Sequence, residues 1–161
     1  MRRISLLVLS RCVVALMWLT GLVGASGVHA HSSGNSYLAF SMRDATPVLR
    51  VDVSIRDLDF VFDLDSDRNG EVTWAETSAR QTELLAWVSD GVEVTAAGAR
   101  CALSALPPMA SQRGDGVYWS TEWTVGCQGG AATQPIPGLS LRYGLMFERD
   151  NLHRGLLKVD L

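Results

Sequence analysis

Between residues 65 and 76 the chain reads DSDRNGEVTWAE, which crowds Asp65, Asp67, Asn69, Glu71 and Glu76 into twelve positions. Carboxylates held that close repel one another unless solvent or a cation lies among them. The spacing separates the two cases. Asp65, Asp67 and Asn69 stand at positions one, three and five and present oxygens to one side of a tight turn. Gly70, at six, supplies the positive φ that a reversal needs at no steric cost. At seven the carbonyl of Glu71 faces an ion while its side chain points away. Thr73, at nine, reaches an ion through water, and Glu76, at twelve, closes the set with two oxygens. Calcium takes six to eight oxygens at flexible geometry, whereas magnesium demands a small octahedron and keeps its waters. The expected ligand is therefore Ca2+.

The run satisfies D-x-[DN]-x-[DN]-G-x5-E without a mismatch, the loop of an EF-hand. A register starting at Asp63 fails twice: it puts Arg68 where glycine is needed and Trp74 where the closing carboxylate is needed. Asp63 is thus an outer residue. The flanks agree, because Leu58, Val61 and Leu64 are three apart, and residues 74 to about 89 carry an apolar edge of Leu84, Leu85 and Val88. A helix-loop-helix is expected over about 56–89. The alternative is a solvated acidic loop with no ion. Thr73 and Glu76 also match a capping box, so cap and ion compete for Glu76. EF-hands generally pair through position eight, yet Val72 finds no twin, since RGDGVYWS and ERDNLHRG both lack the ligand spacing. The helix pair is then expected to dock on a sheet, or a second copy to supply the partner. A lone hand packed on strands points to a structural or affinity role for the ion.

The elements around the loop read as strands. In PVLRVDVSI, Leu49, Val51, Val53 and Ile55 face one way and Arg50, Asp52 and Ser54 the other; Leu38, Phe40 and Met42 share a side in YLAFSM. After Gly91, VEVT and RCAL flank a hairpin turn, and LPPMASQRGDG and GCQGGAATQPIPG read as loops. VYWSTEWTV aligns Val117, Trp119, Thr121, Trp123 and Val125. LSLRYGLMFE aligns Leu139, Leu141, Tyr143, Leu145 and Phe147, and Leu157, Val159 and Leu161 fall in step at the end. Such alternation indicates antiparallel strands with one wet side. The expected fold is α+β, an antiparallel β-sandwich-like domain of about seven strands with one inserted helix-loop-helix.

The length of 161 residues suits one domain after a targeting segment. Residues 1–30 read as a signal peptide: Arg2, Arg3 and Arg11, an apolar core over 12–23, then VHA at the cut. The apolar run is short for a membrane span, and an uncleaved anchor is the rival reading. The mature domain is then 31–161, in the periplasm or secreted, with no transmembrane segment. Removing the three leader arginines takes the formal net charge from −3 to −6. That balance excludes nucleic acid as a natural partner. Cys101 and Cys127 remain, and an oxidising compartment makes one disulfide of them. No nucleophile is set beside a base in the sequence, so an enzyme is not expected. His31, as a mature N-terminus, could grip copper, but a cleavage-site remnant is the simpler reading. Trp119 and Trp123 could form a sugar platform, but same-face tryptophans are more often core.

Several segments together resemble the extracytoplasmic N-terminal module of HupE/UreJ-type bacterial membrane proteins. They are HSSGNSYLAF, VDVSIRDLDFVFDLDSDRNGEVTWAE, the cysteine pair, and LRYGLMFERDNLHRGLLKVDL. The R-D-L-D at Arg56 to Asp59, the loop at Asp65 to Glu76 and the H-R-G-L-L at His153 to Leu157 carry the likeness. It implies a single calcium loop and a membrane protein partner concerned with metal-ion transport. The membrane helices of such proteins have no counterpart in this sequence, so transport itself does not carry over.

Overall fold

The computed structural model describes residues 34–127 and 138–160; residues 1–30, expected to be a leader, His31 and Leu161 lie outside them. The described chain is α+β. It runs β1 (Asn35–Arg43), β2 (Thr46–Ser54), α1 (Ile55–Phe62), α2 (Trp74–Ala79), α3 (Gln81–Gly91), β3 (Val92–Ala96) and β4 (Ala99–Arg100). It continues through β5 (Ala102–Ala105), β6 (Met109–Arg113), β7 (Gly116–Gly126), β8 (Ser140–Tyr143) and β9 (Arg154–Asp160). One sheet has the order β5-β7-β2-β1-β9, with β6 also paired to β7; a smaller one has the order β4-β3-β8.

The alternation read from the sequence builds the core. Across β1, β2 and β7, Leu38 faces Val51 and Phe40 faces Leu49, while Leu49, Val51 and Val53 face Trp123, Thr121 and Trp119. All are buried, and Val92, Val94 and Ala96 of the small sheet join the same cluster with Leu58, Leu84 and Val88 of the helices. Fully burying one such side chain contributes about 1.5–3 kcal/mol. Trp119 and Trp123 are 0% and 4% exposed, so they are core and offer no sugar platform.

Tertiary context changes several elements. Ile55 does not extend β2; it opens α1. The second helix breaks at Arg80, whose backbone leaves the helical region while its Nη1 donates to the Phe62 carbonyl at 3.2 Å. RCAL is shared between two sheets, and the loop read over LPPMASQRGDG contains β6. β8 ends at Tyr143; Leu145 is buried beyond it in a turn, and Phe147 is exposed. β9 lies parallel to β1, against the antiparallel expectation.

At the corner where the chain leaves β4 for β5 stands Cys101, disulfide-bonded to Cys127 just past β7. The Cys101 amide donates to the Val94 carbonyl of β3 at 2.8 Å. The bond therefore staples the seam between the two sheets.

The second face of the large sheet is not simply wet. Asp52, read as solvent-facing, is fully buried there. Arg50 Nε donates to its Oδ1 at 2.7 Å, and Arg113 reaches its other oxygen from β6. Arg113 also lies 4.1 Å over the Tyr37 ring. Burial pushes Asp52 up, but the hydrogen bonds from Arg113, Arg50 and Ser120 outweigh it and hold the carboxyl below its ordinary range. This contribution is complete above the unfolded value near 3.8 and is lost as pH falls through the lower folded value. Asp52→Asn removes the charge two half-exposed arginines share. It is expected to cost about 1–3 kcal/mol in chemical denaturation; an unchanged midpoint would contradict this role.

Candidate metal centre

The loop is positioned by the two helices it joins. α1 ends at Asp63, a left-handed cap with φ 53° whose amide bonds the Asp59 carbonyl. Asp59 then turns its side chain to the loop entrance, where Oδ1 accepts from the amides of Leu64 (2.8 Å) and Asp65 (3.0 Å). Asp63 thus serves as the helix cap, and Asp59 is a brace the spacing alone did not single out. Its signal was local: a carboxylate in the last helical turn before a loop rich in free amides.

Asp65 folds the turn around itself. Its two oxygens accept from the amides of Asn69 (3.1 Å) and Gly70 (2.8 Å). Gly70 has φ +87° with open space where a Cβ would stand, so backbone conformation, not crowding, selects glycine there. Asp67 Oδ1 accepts from the Asn69 amide at 3.1 Å, and Asn69 Oδ1 accepts from the Glu71 amide at 2.8 Å.

Glu76 spans the loop from the start of α2. Its Oε2 accepts from the amide and hydroxyl of Thr73, both at 2.9 Å, and the Thr73 hydroxyl accepts from the Glu76 amide. This is the capping box read from T-x-x-E. The other oxygen, Oε1, accepts from the amide and hydroxyl of Ser66, again at 2.9 Å. The donors on Thr73 and Ser66 hold the carboxyl down to about 2. The stability they give is complete above about 4.5 and is lost as pH falls through about 2.

The structure brings Asp65, Asp67 and Glu76 together: one oxygen from each lies within 4.8 Å of the other two. Asn69 and Thr73 stay in the loop but spend their side-chain oxygens on hydrogen bonds within it, and Glu71 is exposed. Such a cluster of carboxylate oxygens could hold a metal ion. Val72, at position eight, lies in no strand and packs half-buried against the core. The lone loop therefore rests on the sheet domain, as one of the two sequence expectations had it. A separate cleft of about 380 Å³ opens between α1, α3 and the turn after β8, over Phe62, Trp87 and Met146; none of the loop's oxygen donors lines it.

A second polar cluster was not legible in the sequence, which offered Ser, His and Asp only singly. His153 Nε2 lies 3.1 Å from the Ser36 hydroxyl and 2.8 Å from the Tyr143 hydroxyl. Its Nδ1 is 3.7 Å from Asp57 Oδ2, a charge contact too long for a hydrogen bond, and both atoms are buried without a hydrogen-bond partner. Ser36 is 0% exposed, so its hydroxyl meets no substrate in this conformation. The cluster ties β1, α1, β8 and the approach to β9. Burial pushes His153 below and Asp57 above their ordinary values, outweighing their mutual attraction; Asp150 raises both, and Arg56 lowers Asp57.

The sign for His153 follows. The unfolded ring takes a proton below about 6.5 while the folded ring resists it, so stability is full above that pH and falls below it. Asp57 behaves oppositely, gaining its proton in the folded state first and offsetting part of the loss at lower pH. The melting temperature is expected to drop between pH 7 and 5.5, with a shallower slope in His153→Gln; equal slopes would rule the cluster out as the cause.

Among the described residues no helix is long and apolar enough to cross a membrane. Comparison with protein-family models, with curated proteins and with solved structures gave no match.

Proposed function

We propose that this chain is an exported domain that binds one calcium ion through a single EF-hand loop, in a structural or regulatory role and without catalysis. The observation that carries the reading is the convergence of Asp65, Asp67 and Glu76 oxygens within 4.8 Å. It is supported by sequence spacing that supplies further oxygen donors at Asn69, Glu71 and Thr73. The ion would supply the positive charge that three carboxylates lack, and so hold α1 and α2 at a fixed angle on the sheet.

Export to the periplasm or beyond rests on the leader-like residues 1–30 and agrees with the Cys101–Cys127 disulfide. Extracellular calcium modules bind at about 10⁻⁴ to 10⁻³ M, which millimolar surroundings would fill. Calorimetric titration of the purified chain with calcium is expected to show about one site in that range and little heat with magnesium. A flat calcium titration would end this reading.

A further inference from the structure

β9 is an edge strand exposed on both faces. Every residue from Arg154 to Asp160 is exposed, and among the described residues β1 is its one neighbour. Parallel pairing sets Ser36, Leu38 and Phe40 beside Gly155, Leu157 and Val159, so these belong to the core-facing side of the sheet. Yet Leu38 and Phe40 are 3% and 2% exposed, while Leu157 and Val159 are 47% and 52% exposed. Tyr143 of the small sheet covers that face of β9 at Gly155, where a Cβ would meet its ring at 2.7 Å, and leaves Leu157 and Val159 beyond it exposed. Leu156, on the opposite face, is 43% exposed. The strand contains no proline to blunt it, and Lys158 is the one charge within its central residues. An exposed apolar edge of this length is a template for strand pairing.

We propose that the occupant of this edge is a second copy of the chain, its β9 antiparallel to the first across a two-fold axis at Leu157. The charge pattern selects copy and register. Centred on Leu157, Arg154 stands opposite the partner's Asp160, and the symmetry repeats the pair. Gly155 meets the partner's Val159, Leu156 meets the partner's Lys158, and the two Leu157 side chains meet on the axis. Centring on Lys158 opposes two lysines, and centring on Leu156 opposes Arg154 to the partner's Lys158. A shift by half a residue pair puts Leu157 opposite the partner's Lys158 and turns one copy's apolar side to the other's polar side. The Leu157 register alone among these matches opposite charges and joins the apolar borders into one strip. Lys158 keeps Asp160 of its own strand at 3.7 Å.

Sedimentation velocity of the purified chain over rising concentration is expected to show a species of twice the monomer mass. Asp160→Arg opposes two arginine pairs and is expected to weaken that dimer on the order of tenfold or more. Adding Arg154→Asp to it re-pairs the charges in reverse and is expected to restore association, which a merely misfolded variant would not do. In a Cys12→Ser background, Leu157→Cys is expected to give a disulfide-linked dimer on oxidation. Directly opposed strand residues stand within disulfide reach, and Leu156→Cys, facing the partner's Lys158, is expected to give little. A wild-type chain that stays monomeric, an Asp160→Arg chain as dimeric as wild type, or equal cross-linking at 156 and 157 would overturn the proposal. None of these outcomes depends on calcium.

Discussion

Calcium is expected to raise the melting temperature of the wild-type chain, and glutamine at position 76 is expected to abolish that rise. A ligand at one hundred times its dissociation constant stabilises the state it binds by about 2.7 kcal/mol, roughly 10 °C for a domain of this size. Glu76 is the residue on which that rise is expected to turn, because it is the one carboxylate of the three that stands on the exit helix, where it also fastens Ser66 and Thr73. Glutamine keeps one acceptor oxygen, so much of the cap survives. It loses the charge and the second oxygen, so the ion does not. The variant should therefore melt cooperatively, at one temperature with or without calcium. Mild acid should not imitate it, since the Glu76 carboxyl is held down to about 2. Thermal melts of both proteins with calcium and with a chelator decide the matter. A variant that still shifts with calcium would place the ion elsewhere.

Reduction of the Cys101–Cys127 bond is expected to cost about 3 kcal/mol, from the unfolded-chain entropy of a loop closed across 26 residues. That again is roughly 10 °C. The site predicts where the loss is first felt. Cys101 is the corner between the small sheet and the large one, and Cys127 follows the end of β7 beside β5. Hydrogen exchange of the reduced chain should rise most in β3, β4 and β5, and less in β1 and β2. Uniform loss of protection, or no loss of stability, would remove the seam from this account.

Much of this was readable in the chain because the relevant signals are local. The period-two pattern around Leu49, Val51 and Val53 needs no partner to be recognised, and neither does a twelve-residue ligand spacing. What escaped depends on position in the finished sheet. Leu157 and Val159 have the right face but sit at its border, and alternation carries no information about how far the covering layer extends. Asp52 occupies a polar slot in that same alternation, and its partners there include Arg113, 61 residues later. Ser36 and His153 are 117 residues apart, so no spacing rule joins them. Asp59 was missed because its partners are backbone amides, which no residue pattern displays.

β1 acquires its second neighbour only from residues 154–160, nearly the whole described chain away. Completion of the large sheet must therefore wait for residues 154–160 to reach β1. Until then, one side of β1 stands with its amides and carbonyls bare, and Ser36 lacks the ring that will later meet it. Completion is consequently a late, non-local event. Distant pairings of this kind slow the crossing of a folding barrier, so a folding copy of this protein passes through states with an open flank.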